Sequence, residues 1–179
     1  MAIPGVGFTV FEGVREIWGD VLRIIEKWGL LASEKSMEAK AKGIDSNLFD
    51  DCKTVCEITS DVLRGSRVQT LLLCIDSKGD PRAIAFYEKR INTISWLVSH
   101  PNHIKHPLNI ERVSGAASAI IEHLAQGALI RGLPLRVSSF SGALLFYQKL
   151  GFEFEEDRGA EELRMILTVD KIRTQLALV

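Results

Sequence analysis

Between Asn109 and Ile121 the chain reads Asn-Ile-Glu-Arg-Val-Ser-Gly-Ala-Ala-Ser-Ala-Ile-Ile, with small residues gathered where the helical period of Ile120, Ile121, Leu124 and Ala128 begins. A helix start leaves backbone N–H groups unpaired at the positive end of the helix dipole, and small side chains let a diphosphate approach them. The stretch Arg112, Val113, Ser114, Gly115, Ala116, Ala117 and Ser118 is therefore a candidate anion site. The same small residues also suit a helix that lies close on a sheet, and spacing alone leaves both readings open. Upstream, His100, His103 and His106 fall within one short segment. That spacing is open to zinc binding with Glu111, to contact with an anionic cofactor or substrate, or to an ordinary polar loop. Cys52 and Cys56 are four apart in a helical pattern and Cys74 lies in an apolar run, so the three cysteines read as reduced structural thiols.

The elements that must position these residues follow from periodicity. Gly7 to Phe11 reads as a first strand, and Val14, Ile17, Trp18, Val21, Leu22, Ile25 and Trp28 mark an amphipathic helix. Ala32 to Gly43 offers little to bury and reads as a solvated helix or a mobile connection. A second helix is expected over 47–63 with Ser46 as N-cap. From Val68 the period changes. An apolar run to Ile75, the turn residues Asp76 to Pro81, an alternating run from Arg82 to Lys89 and a further strand over 92–99 predict an antiparallel meander. Helix 115–131, strand 133–138, helix 141–150 and strands 152–155 and 162–169 follow, with 170–179 as a tail. The expected fold class is α/β (α+β), a mixed, mostly antiparallel sheet of six or seven strands in one domain spanning 1–179.

Two motifs then carry a resemblance. Arg112-x-x-Gly115-x-Ala117 resembles the pyrophosphate loop of the GNAT superfamily of acyl-CoA-dependent N-acyltransferases. Ala143-Leu144-Leu145-Phe146-Tyr147-Gln148-Lys149-Leu150-Gly151-Phe152 resembles that superfamily's second signature. The resemblance spans roughly Val68 to Val169. It implies acetyl-CoA as co-substrate, bound where the strands 92–99 and 133–138 splay apart in the sheet's centre, with helices on both faces. It places Trp96, Leu97 and Val98 along the thioester, with the Val98 backbone N–H as oxyanion donor. Tyr147 becomes the acid for the departing thiolate, although a buried aromatic with a structural hydroxyl is the competing reading. Ser139 or Ser141 stands where the family commonly has Asn touching the pantetheine, and Ala143 opens the second signature. Members often carry a Glu on the fourth strand as base. Here Asn92-Thr93-Ile94-Ser95 has none, which leaves Glu88 on the neighbouring strand, His100 or a water chain.

Composition narrows the function classes. A net charge of -1 gives no footprint for nucleic acid, and no apolar run reaches the length of a membrane span. The N-terminal residues carry no export signal, so a cytoplasmic protein is expected. No metal is expected. The function the resemblance implies is transfer of an acetyl group to a primary amine, small-molecule or protein-borne, with a homodimer left open. The alternative is a catalytically silent module that binds acyl-CoA as a structural or regulatory ligand.

Overall fold

The segment from Thr70 to Ser99 forms three antiparallel strands because apolar residues alternate between two tight reversals. At the first, the Asp76 carboxylate accepts the Lys78 and Asp80 amides at 2.8 and 3.0 Å and Gly79 takes a φ of 85°. The computed structural model describes residues 7–13, 18–65, 70–109, 115–155 and 163–176. Its strands are β1 (Thr9–Gly13), β2 (Thr70–Ile75), β3 (Pro81–Glu88), β4 (Thr93–Ser99), β5 (Leu135–Ser139), β6 (Glu153–Phe154) and β7 (Leu163–Leu167). Among the described residues they make one seven-stranded sheet in the order β1-β2-β3-β4-β5-β7-β6, antiparallel except for the β4–β5 pair.

Both faces of the sheet are covered, and β3 shows how. Ala83, Ala85 and Tyr87 pack on α3 (Ala116–Arg131), through Ile120, Ile121 and Leu124. Ile84 and Phe86 point the other way, into a cluster with Val21, Ile25 and Trp28 of α1 (Trp18–Ala41) and Val55 and Cys56 of α2 (Asn47–Arg64). That two-sided burial explains why β3 reads as a nearly continuous apolar run. The short α4 (Leu144–Lys149) and α5 (Val169–Leu176) complete the helices. Cys52, Cys56 and Cys74 are buried free thiols.

Four expectations change. Of the two readings of the segment from Ala32 the helix holds, but it is solvated on one side only: α1 runs on to Ala41, with Ala32, Ser36 and Ala39 buried while Glu34, Met37, Glu38 and Lys40 stay exposed. Small side chains here permit close approach of α1 to α2, where the Ser36 hydroxyl donates to Asp50 at 2.6 Å. Ser46 stands before α2 without a side-chain cap, its hydroxyl donating instead to the Asp50 carboxylate at 2.8 Å. The expected tail is helical over Val169–Leu176, anchored by buried Ile172. The first strand falls at Thr9–Gly13, slightly later than its apolar pattern suggests. Residues 14–17 of the expected first helix lie outside the described residues.

One polar residue fixes the middle of the sheet. Asn92 is 1% exposed and holds a φ of 52° at the β3–β4 reversal. Its side-chain oxygen accepts from the Tyr87 hydroxyl and from Arg131, and its amide donates to the Pro134 carbonyl at 2.6 Å. Arg131 also donates to the Tyr87 oxygen, so that hydroxyl's proton goes to Asn92. The Asn92 carbonyl accepts the Arg136 amide at 3.0 Å and starts the β4–β5 pairing. Replacing Asn92 by Ala is expected to cost about 2 to 3 kcal/mol, because buried groups lose their partners and the positive φ stays. Asn92→Gly removes the backbone penalty and should recover about 1 kcal/mol of that loss. Urea unfolding of both variants checks the order.

Candidate functional site

Beyond Asn92 the two central strands separate. β4 pairs with β5 only at Thr93↔Arg136 and Ile94↔Val137. The cause lies one residue later. On the other side of β4, Tyr87 pairs with Ile94 and Phe86 with Trp96, so Ser95 is an extra residue in the strand. A bulge of this kind reverses which amides face which neighbour. Past it, the His100 amide donates to the Arg82 carbonyl at 3.0 Å, and the Ile84↔Val98 and Phe86↔Trp96 pairs continue the same register. Alternation then turns the amides of Trp96, Val98 and His100 toward β3, and those of Leu97 and Ser99 toward the gap. The expected oxyanion donor is thus corrected by one residue: the Val98 amide belongs to the β3 ladder, and the Leu97 amide faces the opening.

α2 crosses the open ends of the two strands. The Cys52 thiol lies 3.8 Å from the Ser99 carbonyl at the end of β4. Asp51 accepts the Gly142 amide in the turn Ser141–Ala143 that follows β5. Burial raises the Asp51 carboxyl above its ordinary range, with Asp50 and Asp45 adding to the rise and the Gly142 amide opposing it. Ser139, expected to offer a hydroxyl, is buried and donates to the Phe140 carbonyl at 2.9 Å. Ser141 is exposed at the mouth, and Ala143 is half-buried behind it. Trp96 and Phe140, one from each splayed strand region, bring their rings to 6.2 Å.

At the same end of the sheet, α3 begins. Gly115 is its N-cap residue with a φ of 107°, a conformation that suits glycine, and its carbonyl accepts the Ala119 amide at 2.8 Å. Ala116 and Ala119 are buried against the sheet, whereas Ala117 and Ser118 are half-buried. The small residues therefore let the helix lie close while its first turn keeps an accessible side. Arg112, Val113 and Ser114 lie outside the described residues. Tyr147 is 4% exposed, with Phe146 and Phe152 edge-on at 5.1 and 5.5 Å. Burial pushes its phenol well above the ordinary tyrosine range, so it keeps its proton.

The histidines divide. His106 accepts the Leu108 amide on Nδ1, so its Nε2 carries the proton and donates to the Asp45 carbonyl at 2.6 Å. That fixes it as a neutral structural residue on the Phe49 ring. His103 Nε2 lies 3.2 Å from Arg82, which can only donate, so the proton sits on Nδ1. Burial, then His100 and Arg82, hold His103 down to about 4. His100 lies edge-on to Trp28 at 5.2 Å. Among the described residues no three His, Cys, Asp or Glu side chains gather as a metal site. Asn109 ties the loop together by donating to the Pro101 and Ile104 carbonyls at 2.9 and 2.8 Å.

Glu88 ends β3 and lines a cavity of about 560 Å³ with Ser95, Trp96, Arg136, Ser138 and Arg164. The structure thus brings Glu88 and Trp96 to one cavity, while Tyr147 belongs to the core cluster on the α3 face. Sequence reasoning missed Asp51, Arg136, Ser138 and Arg164. The visible signal for two of them is polar residues at alternate positions in an otherwise buried strand, where Leu135, Val137 and Ser139 face the core.

No family model matches the sequence, and no curated protein matches it. Solved structures do. A spermidine/spermine N-acetyltransferase from Vibrio cholerae superposes with a TM-score of 0.54 at 12% identity, over 97% of this chain and 99% of the other. An N-acetyltransferase from Thermoplasma acidophilum, in complex with coenzyme A, gives 0.53 at 12% identity over 90% and 98%. A histone acetyltransferase and related acetyltransferase from Corynebacterium glutamicum gives 0.52 at 13% over 91% and 97%. The chain shares its fold with these solved acetyltransferases. Identities this low establish the fold and leave the reaction to the residues of the site.

Gly142 offers a test of the brace at the mouth. A Cβ there would stand 2.5 Å from the Asp51 carboxylate and 3.1 Å from a Leu48 methyl. Gly142→Ala is expected to destabilise the protein by about 1 to 3 kcal/mol, and much less in an Asp51→Ala background. A double-mutant cycle by urea unfolding measures the coupling.

Proposed function

We propose that the chain binds acetyl-CoA in the gap between β4 and β5 and transfers the acetyl group to a primary amine by direct attack. The observation that carries this reading is the bulge at Ser95, which turns the Leu97 and Ser99 amides into a cleft where β5 no longer pairs with them. Such strand amides suit an extended amide-containing arm laid in like an added strand. The start of α3 suits the diphosphate, with the left-handed Gly115 and the half-buried Ala117 and Ser118 leaving room beside the first-turn amides. The fold supports the reading, since one solved neighbour of this fold is a coenzyme A complex.

Acetyl-CoA supplies the activated acyl group as a thioester. In this reading the amine nitrogen attacks the carbonyl carbon, the C–S bond breaks, the nitrogen loses a proton and the sulfur gains one. The Leu97 amide steadies the carbonyl oxygen as negative charge develops there. Tyr147, protonated through the physiological range, gives its proton to the sulfur. Glu88 on the cavity wall takes the amine's proton, directly or through water. The buried free thiols support the expected cytoplasmic location. A second reading, acyl-CoA binding without turnover, is favoured by the lack of a carboxylate on Thr93–Ser99.

Ala117 gives the cleaner test of the diphosphate site, because any side chain at Gly115 is strained by its φ of 107°. Ala117→Val adds bulk at a helical position for about 0.5 kcal/mol of helix propensity. Acetyl-CoA affinity by calorimetry is expected to fall at least ~10-fold with the fold intact. Unchanged affinity would remove the diphosphate from this helix start.

Tyr147→Phe keeps the ring and its two edge contacts. Steady-state kinetics with a verified amine should show kcat falling roughly 10²- to 10⁴-fold with little change in the KM for acetyl-CoA. An unchanged kcat would leave Tyr147 as core alone. Tight acetyl-CoA binding with no turnover on any amine would favour the silent module.

A further inference from the structure

The cavity beside the bulge holds two guanidinium groups as well as the Glu88 and Glu155 carboxylates, and the two signs lie at different places on its wall. Alternation along β5 sends Leu135, Val137 and Ser139 to the core, and Arg136 and Ser138 to the cavity face. On β7, Arg164 stands directly across from Ser138 and also lines the cavity, while Met165 and Leu167 are buried on the other face. Directly opposed residues bring their Cβ atoms to about 5 Å, and diagonal ones to about 7 or 8 Å. Arg136, Ser138 and Arg164 therefore form one contiguous cluster level with Ser95 and Trp96.

Their partners are incomplete. Arg136 donates through Nε to Glu155 at 2.9 Å, and its Nη groups have no partner among the described residues. Arg164 and the Ser138 hydroxyl have none there either. Of the two carboxylates on the cavity, Glu155 answers Arg136 and Glu88 stands on the β3 side, so one carboxylate answers two guanidinium groups on the β5–β7 side, where the hydroxyl between them adds a further donor. The geometry is that of an oxyanion cradle, since guanidinium forks match carboxylate and phosphate oxygens. Glu88 lies on the far wall, two strands from Arg136 and Ser138 and three from Arg164, across about 10 to 14 Å of sheet.

The geometry points to an acceptor amine that carries an oxyanion, held by Arg136, Ser138 and Arg164, rather than a polyamine. The amine half of this assignment rests on the acyl-transfer reading above. The oxyanion is anchored at the β5–β7 side of the cavity, so the nitrogen is presented toward β4, where the Leu97 amide faces the gap. A polyamine would bring its further ammonium groups against the two guanidiniums, which disfavours the substrate class named for the Vibrio cholerae neighbour.

The test uses the full chain and three probes, titrated calorimetrically in parallel with acetyl-CoA: glycylglycine for a carboxylate-bearing amine, phosphoethanolamine for a phosphate-bearing one, and spermidine. At least one oxyanion-bearing amine is expected to bind and spermidine not to bind. Which of the two binds identifies the oxyanion. Arg164→Gln, at an exposed position, should weaken that binding at least tenfold, and Ser138→Ala should weaken it less. In thiol-release kinetics Arg164→Gln should raise the KM for the amine and leave the KM for acetyl-CoA unchanged. Tighter binding of spermidine, binding of neither oxyanion probe, or a rise confined to the acetyl-CoA KM would overturn the assignment. If acetyl-CoA fails to bind while an oxyanion amine binds, the acyl-transfer reading falls and the cradle stands. If acetyl-CoA binds and both oxyanion amines fail, the cradle falls alone.

Discussion

Asn92 sits where a buried amide would ordinarily be a liability, and the centre of the sheet depends on its being fully used. Its side chain joins Tyr87 on β3, Arg131 at the end of α3 and the Pro134 carbonyl ahead of β5, while its main-chain carbonyl takes the first amide of the parallel pair. A buried polar group of this kind is costly unless satisfied, so its partners must arrive together or the arrangement does not form. With β4 and β5 sharing only two residue pairs, this junction supplies what a longer ladder would otherwise provide. The strands are held firmly at one end, which is what allows them to part at the other.

The parting itself has a backbone origin. A single extra residue at Ser95 reverses the direction of every later amide in β4. Two features then set the mouth: Cys52 against the Ser99 carbonyl on one side, and Asp51 against the Gly142 amide on the other. The described part of the connection that follows β4, residues 100–109, is equally determined. Lys35 of α1 donates to Asn109 at 2.8 Å, and His106 reaches back to the residue before α2's approach, Asp45. The segment is stitched to both N-terminal helices, and the tautomer of His106 is fixed by that stitching, whereas Arg82 of β3 fixes that of His103.

Much of this was legible in the sequence, for reasons that show where legibility ends. The two-residue period of Ala83 to Tyr87 and the turn chemistry of Asp76 to Pro81 announce the meander, because alternation is written in side-chain type. The start of α3 is legible too, since Gly115 takes the positive φ of the N-cap and the alanines after it let the helix lie close on the sheet. The bulge is not legible: Thr-Ile-Ser-Trp-Leu-Val-Ser has no residue that marks an insertion, and a one-residue error moved the gap-facing amide from Leu97 to Val98. The second half of α1 was obscured because Ala32, Ser36 and Ala39 bury themselves by being small. Asp51 looked like one more acid on a helix surface until the fold placed Gly142 against it. Arg136 and Arg164 are far apart in sequence and become neighbours only through the β5–β7 register.

The brace at the mouth also makes the gap part of a larger mechanical assembly. α2 rests on α1 so closely that a methyl group on Gly29 would meet the Cys56 side chain at 3.3 Å. The separation of β4 and β5 at their open ends is therefore set by a helix outside the sheet, whose own seat is the interface with another helix. Anything that wedges α1 from α2, a bulkier residue or an oxidised thiol at Cys56, displaces the strut and changes the width available to a ligand it never touches. The dependence runs in both directions by linkage: a ligand that prefers one width stabilises the helix packing that produces it.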